Sequence, residues 1–536
     1  MKNVILKYSN LTKHILHLHP FQKQAIESLI LKKSCLVIAP TGKGKSLIYQ
    51  IAGQELSGTT LVISPLIALI NEQSDILGEE LALNLTSEVS FADQRQILRE
   101  IGWGKLKPKF IFLSPERLQN YFFRAALKKS AMTISLVVID EVHCISQWGF
   151  DFRPDYSQIN SFLDFLKTQN QSPPILAMTA TMGKEAKADI INEFSIDESN
   201  VFIDSNVLRN ELVLNFIKVE EEREKVDKIV EIIENLNPKK CLIYFYNIPW
   251  CKKVCNTLNR NGYESNTYFS EMGSEEKDDA YHQFKNGEIK ILCATTAFGM
   301  GMNIPDIDMV LHHQIPNSIE EYYQQVGRAA RDKILCPKAI CYLIWSQANF
   351  DFKFEEHIPN SIMSVDNIEI AFKKLGLYEK NNEPQSIEYS DYISKNLARF
   401  RFALERRGLM KTLGEVNGTP KTIEFFKKND LWENIVTNMG FGDSFIRAAT
   451  NSNMSIQELI DLIFEKELNG EIKKFPAMKK KIFFQSEYNS IPLDKVYEIV
   501  EESLKIADFK IKQVEMLSDL VDSEYPNDFI MEYFKN

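Results

Sequence analysis

Residues 140–156 read DEVHCISQWGFDFRPDY, and they follow the apolar run Leu136-Val137-Val138-Ile139. A short unbroken apolar run bounded by polar residues predicts a buried strand ending at Asp140. A strand that delivers adjacent carboxylates, Asp140 and Glu141, to its carboxyl end is how P-loop nucleotide hydrolases hold magnesium and orient the attacking water. Beyond them, Trp148, Phe150 and Phe152 stand beside Arg153. Aromatic faces stack on bases and a guanidinium grips phosphate, so this loop reads as a sensor of single-stranded nucleic acid.

The partner of those carboxylates lies upstream. Ser34 to Ile38 predicts a strand, and APTGKGKS, Ala39 to Ser46, predicts a phosphate loop entering a helix. Thr41, Gly42, Lys43 and Gly44 supply backbone amides for the phosphates, Lys45 neutralises their outer charge, and the Ser46 hydroxyl joins Asp140 at a magnesium ion. ATP and magnesium are the expected ligands.

A chain of 536 residues is long enough for about three domains, each with its own core. No apolar run reaches transmembrane length and no charged-then-apolar leader is present, so the expected location is the cytoplasm, away from any membrane. The eight cysteines lack CxxC spacing. They read as reduced, mostly buried thiols, and no zinc site is expected from Cys251, Cys255, Cys336 and Cys341. Of the net charge of −10, residues 487–536 carry −7, with twelve Asp/Glu against five Lys. The acidity is therefore a tail property and leaves room for a basic groove elsewhere.

Short apolar runs at 35–39, 60–64, 110–114, 136–140 and 175–179 alternate with helical patterns, which predicts an α/β unit with a parallel sheet. A second series at 241–246, 289–294, 307–312 and 338–344 predicts another. After about residue 350 helical patterns dominate. The expected domains are 1–205, 206–350, 351–430 and 431–536.

With the motifs in place, the chain resembles the RecQ family of DNA helicases within superfamily 2, where Ala39 at the head of the phosphate loop is usual. The resemblance covers roughly the first two thirds of the chain and implies two tandem RecA-like lobes with ATP between them. It places Gln22, in LHPFQKQAI, at the adenine edge. LVISPLIALINEQ (61–73) and FIFLSPERL (110–118) are similar to motifs that touch the DNA backbone, with Ser64 and Arg117 as phosphate contacts. Thr179 and Thr181 resemble the Thr-Ala-Thr linker that couples hydrolysis to strand separation, with His143 and Gln147 relaying the nucleotide state to the aromatic loop.

TTAFGMGMNIPDIDMV (295–310), opening on Thr295, and EYYQQVGRAARDK (321–333) resemble the fifth and sixth helicase motifs. Gln324, Arg328 and Arg331 fall at i, i+4 and i+7, which on a continuous helix is one face. The two arginines would then be arginine fingers aimed at the triphosphate. The resemblance further implies movement along DNA from 3′ to 5′, and leaves open whether the pathway is repair, recombination or defence against foreign DNA. Four features depart from it: Phe150 in place of histidine, Tyr246-Asn247-Ile248-Pro249 in the fourth motif, Ala330 in place of glycine, and no cysteine after Cys341.

The last third is less specific. Residues 365–426 combine helical stretches with two strand-like runs around a turn (406–426), which resembles a winged helix and equally fits a generic helix–hairpin module. IKKFPAMKKKIFFQS (472–486) holds five lysines and three phenylalanines without an acid, suiting DNA, an acidic partner or a lysine-faced surface helix. Leu493, Val496, Tyr497, Val500 and Leu504 share a helical face, suited to a core or to docking a protein partner. The expected function is an ATP-dependent DNA helicase acting at single-stranded DNA and fork junctions. The alternative is a DNA-stimulated ATPase that serves as motor of a larger complex.

Overall fold

The computed structural model describes residues 17–40, 42–65, 67–86, 89–145, 156, 158–204, 209–298, 304–377, 384–388, 390–391, 397–416, 423–425, 444–474, 481–486, 488 and 490–535. Two parallel sheets carry the first two thirds. The first holds β1 (Cys35–Ile38), β2 (Thr59–Ile63), β3 (Ala82–Leu85), β4 (Phe110–Leu113), β5 (Ile134–Ile139), β6 (Ile175–Thr179) and β7 (Val201–Ile203), in the order β3-β4-β2-β5-β6-β1-β7. Its central strands are buried on both faces because helices cover both, which is why they read as unbroken apolar runs. Expected strands 35–39 and 136–140 are β1 and β5. β3 and β7 went unread: they are edge strands of three or four residues, with half-buried positions.

The second sheet holds β8 (Leu212–Lys218), β9 (Cys241–Tyr244), β10 (Ser265–Tyr268), β11 (Ile291–Ala294), β12 (Met309–His312) and β13 (Ala339–Trp345), in the order β10-β11-β9-β12-β13-β8. Neither sheet contains an antiparallel pair. In both, the carboxyl ends of the strands gather the chemistry, the usual consequence of right-handed crossovers in open α/β sheets.

The last third departs from expectation. The two runs around residues 406–426 are strands, but they do not pair with each other. β15 (Lys411–Val416) pairs with β18 (Lys481–Gln485), while β16 (Ile423–Phe425) pairs with β17 (Ile472–Lys474). Val416 faces Lys481 and, equally far along both strands, Ile423 faces Lys474, so the two ladders share one register. β18 also pairs with β14 (Gln385–Glu388) and forms the centre of a sheet ordered β14-β18-β15. With helices Val365–Lys374 and Ala398–Arg406, the order of these elements is helix, strand, helix, strand, strand, which is compatible with the expected winged helix. The boundary at residue 430 therefore gives way: the central strand comes from residues 481–485, after a long excursion of the wing.

That excursion returns to the first lobe. Helix Ile456–Leu468 buries Leu459, Ile460, Ile463 and Phe464 in the same core as Phe122 and Ala126. The Trp103 indole donates to the Leu468 carbonyl at 2.9 Å, and Glu467, 6% exposed, pairs with Arg95. Helix Leu493–Val521, 29 residues and ~43 Å long, then leaves the winged unit. Val496 and Ile499 belong to the core of that unit; Ala507, Val514, Leu517 and Leu520 belong to the core of the second lobe. The apolar stripe is thus displaced from the expected face, leaving Leu493, Tyr497 and Leu504 exposed. The described residues between 444 and 535 are therefore a frame built into both lobes. Among the described residues no helix is long and apolar enough to cross a membrane.

Candidate active site

The phosphate loop leaves β1 and enters helix Lys45–Glu55. Gly42 and Gly44 adopt φ of 80° and 70°, the left-handed conformation that turns successive amides inward and that side chains resist. Lys45 Nζ donates to the Ala39 carbonyl at 2.7 Å, spanning the loop. Burial lowers the Lys45 pKa, while the charges of Glu141 and Asp140 raise it. Lys43 lies 3.7 Å from Asp204; Ser46 occupies the second position of the helix. Thr41 lies outside the described residues.

Gln22, expected at the adenine edge, is buried against the phosphate loop. Its Nε2 donates to the carbonyls of Lys43 (3.0 Å) and Gly44 (2.9 Å), and its Oε1 accepts from the His19 amide (2.8 Å). Both ends of the carboxamide thus brace the phosphate loop.

Asp140 and Glu141 stand at the end of β5. The Asp140 amide donates to Ile63 at 2.9 Å, tying the site to β2, and Glu141 is held at φ 49°. Ser64, expected on DNA phosphate, is buried and donates to Asp140 Oδ2 at 3.3 Å. Burial first, then the neighbouring Glu141 charge, pushes the Asp140 carboxyl up, and Lys45 pulls it back. Burial raises Glu141 too, opposed by Lys45 and by Arg328 and Arg331 of the second lobe. Two adjacent buried carboxylates of raised pKa gain when a cation arrives. That donor chemistry, with the Ser46 hydroxyl, fits a magnesium ion.

His143 lies 2.8 Å through Nδ1 from Thr179 Oγ1 and 3.4 Å from Glu141 Oε2. Thr179 gives its own proton to the Thr181 carbonyl at 2.9 Å, so it must accept from His143 and the imidazole carries its proton on Nδ1. Burial, with Lys45 adding to it, depresses His143 to about 4 and keeps the ring neutral. The hydrogen bonds thus run from His143 through Thr179 to Thr181, with Glu141 Oε2 close to the ring but not hydrogen-bonded to it.

The arginines do not share a continuous helix. Helix Ile319–Val326 ends at Gly327, Arg328 sits in the turn, and Arg331 follows Ala330 at φ 48°. The i, i+4, i+7 expectation fails because the helix stops before the second member. What orients the pair is Arg209. Its guanidinium donates to the Gly327 carbonyl (2.8 Å) and to that of Ala330, its Nε pairs with Glu211 (2.9 Å), and its amide donates to the Tyr323 hydroxyl (2.8 Å). Arg328 is 4% exposed beside Tyr244, and burial plus the charges of Arg328 and Arg209 lower Arg331 to about 9. Packed guanidiniums of this kind are stabilised by an added anion. Gln324 is buried, and its amide nitrogen has no partner among the described residues.

The expected DNA contacts divide. Arg117 donates to Gln94 Oε1 (2.9 Å) and the Thr86 carbonyl (3.2 Å). Thr295, nearly buried, begins the turn after β11. Gln147, Trp148, Phe150, Phe152 and Arg153 lie outside the described residues. Tyr156, just past them, donates to the Asp140 carbonyl at 3.0 Å, so the segment's far end is bonded to the catalytic strand. Sequence reading missed Tyr156 and Arg209, whose roles run through backbone carbonyls that no motif displays. Among the described residues, no three His, Cys, Asp or Glu side chains gather to hold a metal, and all eight cysteines are buried and free.

A phosphate loop and carboxylate pair on one lobe, facing arginines on a second, define a two-lobed P-loop nucleotide hydrolase of the helicase class. Residues 19–189 match the DEAD/DEAH box helicase family, and residues 224–333 the helicase conserved C-terminal domain. The chain is 32% identical over 366 residues to the probable ATP-dependent DNA helicase RecS of Bacillus subtilis, covering 68% of this chain and 71% of that one. It is 33% identical over 327 residues to the ATP-dependent DNA helicase RecQ of Pasteurella multocida, covering 60% and 49%. The chain belongs to the RecQ-like family of ATP-dependent DNA helicases. It spans 56% of another relative, the putative helicase Q1 of Caenorhabditis briggsae. Similar solved structures include Dbp5 of S. cerevisiae bound to RNA and ADP BeF3 (TM-score 0.50, 15% identity, 65% of this chain and 88% of that one). Another is the helicase MrfA bound to DNA (TM-score 0.51, 16% identity, 65% and 51%). Both share the fold.

Proposed function

We propose that this protein hydrolyses ATP to move along single-stranded DNA and unwind duplex at a junction, in the 3′ to 5′ sense. The observation that carries the reading is that Glu141 of the first lobe lies within electrostatic reach of Arg328 and Arg331 of the second. Lys45 and the loop amides bind the triphosphate, and Glu141 orients water. The arginines offset charge that develops on the transferred phosphoryl group. Magnesium would be held by Ser46 and Asp140, where it neutralises phosphate charge. His143 and Thr179 carry the state of the carboxylates toward Thr181 and the aromatic loop that senses DNA. The reading places the enzyme in the cytoplasm, without zinc.

A second reading, a motor within a larger complex with little unwinding alone, draws support from the wing. Its strands run on into helices docked on the first lobe instead of presenting a short free hairpin, and Leu493 and Tyr497 offer a partner-facing surface. The deciding experiment is unwinding of a labelled duplex with a 3′ single-stranded tail, with Glu141→Gln as control. Strand separation lost in the variant supports the helicase; DNA-stimulated hydrolysis without separation supports the motor. Equal unwinding from a 5′ tail overturns the polarity.

A further inference from the structure

The helix that bears Gln324 and leads to Arg328 is gripped from a remote part of the chain. Helix Pro526–Lys535 folds into the second-lobe core through Ile530. Its Tyr533 hydroxyl donates to Glu320 Oε1, and the Gln513 carboxamide lies 2.9 Å from the same hydroxyl. Phe534 packs on Tyr323, ring centroids 5.6 Å apart, and the Tyr323 hydroxyl is the acceptor for Arg209. Glu320 and Tyr323 are both buried on helix Ile319–Val326. The contact lies on the seam between the lobes. Gly183 of the first lobe, two residues after Thr181, comes so close that a Cβ there would stand 3.0 Å from Glu320 Oε1 and 3.6 Å from the Tyr533 hydroxyl.

We propose that Tyr533 and Phe534 are positioning residues for ATP hydrolysis: through Glu320 and Tyr323 they seat helix Ile319–Val326 against the first lobe and so set where Arg328 and Arg331 stand. The helix has eight residues. That is too short to hold its own direction, because most helical stability in so short a segment comes from packing. Arg209 fixes its carboxyl end and the turn beyond; Tyr533 and Phe534 fix its amino end and middle. A shift of an ångström at the guanidiniums is enough to weaken a charge clamp that acts only in the transition state. A frame helix nearly two hundred residues from the arginine motif is thereby part of the hydrolytic machinery. The inference rests on the ATPase reading above.

The test is steady-state ATP hydrolysis by the full chain at saturating single-stranded DNA, for Tyr533→Phe, Glu320→Ala and the double variant. Tyr533→Phe removes one oxygen and leaves the ring packing intact. We expect kcat to fall about five- to tenfold in each single variant with KM for ATP within about twofold, the pattern of an interaction felt in the transition state. With Glu320→Ala in place of any isosteric change that would keep an acceptor, the double variant should be no slower than the slower single one, since both single changes remove the same contact. Wild-type kcat in Tyr533→Phe, or losses that multiply in the double variant, would overturn the proposal. So would a loss of kcat matched by loss of folded protein in thermal melts, which would make the contact merely structural. Failure of the ATPase reading is separable: it would appear as hydrolysis that survives Lys45→Ala.

Discussion

Arg209 and Gly327 are joined by a hydrogen bond of 2.8 Å, so the residue that opens the second lobe holds the turn that carries Arg328. The same guanidinium reaches Ala330 and its Nε pairs with Glu211, which uses the whole planar fork. Lysine gathers its three donors on one point-like ammonium and cannot span the Gly327, Ala330 and Glu211 acceptors as a planar fork does. Arg209→Lys should therefore lower kcat for DNA-stimulated hydrolysis by about tenfold while nucleotide binding stays near wild type. Steady-state kinetics with a fluorescent-nucleotide titration checks it; a variant with unchanged kcat would show that the turn holds its own shape.

The carboxylate pair predicts a proton signal. Asp140, ordinarily at 3.8, is raised to about 7, chiefly by burial. In the ligand-free protein the native state therefore binds more protons than the unfolded state between those values, and this group's contribution to stability falls as pH rises through them. A divalent cation favours the charged carboxylate, so binding of magnesium nucleotide near pH 6.5 should release a proton. Calorimetry in two buffers of different ionisation heat measures it, and Asp140→Asn should remove most of the release.

Gly44 combines a φ of 70° with a close neighbour: an added Cβ would stand 2.8 Å from Gln22 Nε2. Gly44→Ala should weaken ATP binding at least about tenfold, because backbone strain of order 1 kcal/mol adds to displacement of the Gln22 brace. Adding Gln22→Ala should recover part of the loss but not all of it, since the backbone strain remains. Full recovery would assign the whole effect to the side-chain clash.

Glu467 is a buried carboxylate whose partners, Arg95 and Arg99, belong to the first lobe. Glu467→Ala leaves two half-buried guanidiniums without their counter-charge, at a cost of about 1–3 kcal/mol to the docking of helix Ile456–Leu468. Amide exchange should rise in Ser444–Leu468, while hydrolysis, whose groups lie elsewhere, stays within about twofold of wild type. Unchanged exchange would mean that Leu459, Ile460, Ile463 and Phe464 hold the helix without help.

Much of this was legible because Lys45, Asp140 and Glu141 sit in short local patterns that follow an apolar run naming the strand, and Arg328 sits in a compact motif of its own. What escaped was made by distance or by backbone. β18 became the centre of the third sheet although its partners β14 and β15 lie some seventy to a hundred residues earlier, and nothing local marks such a pairing. The end of the helix at Val326 was hidden because polar periodicity runs on through Gly327, and Ala330 is not a residue that advertises a left-handed turn. Gln22 shows the limit from the other side. Its position was readable, but a carboxamide that can donate and accept at once braces the phosphate loop as readily as it reads a base.

The wing is fastened at two places that belong to different bodies. Its far end travels with the first lobe through Phe464 and Glu467. Its base is rooted in the unit that helix Leu493–Val521 fixes to the second lobe. A strap nailed to both leaves of a door must bend or slip whenever the door swings. Any change in the angle between the lobes would therefore also be a change of load on β15 and β18.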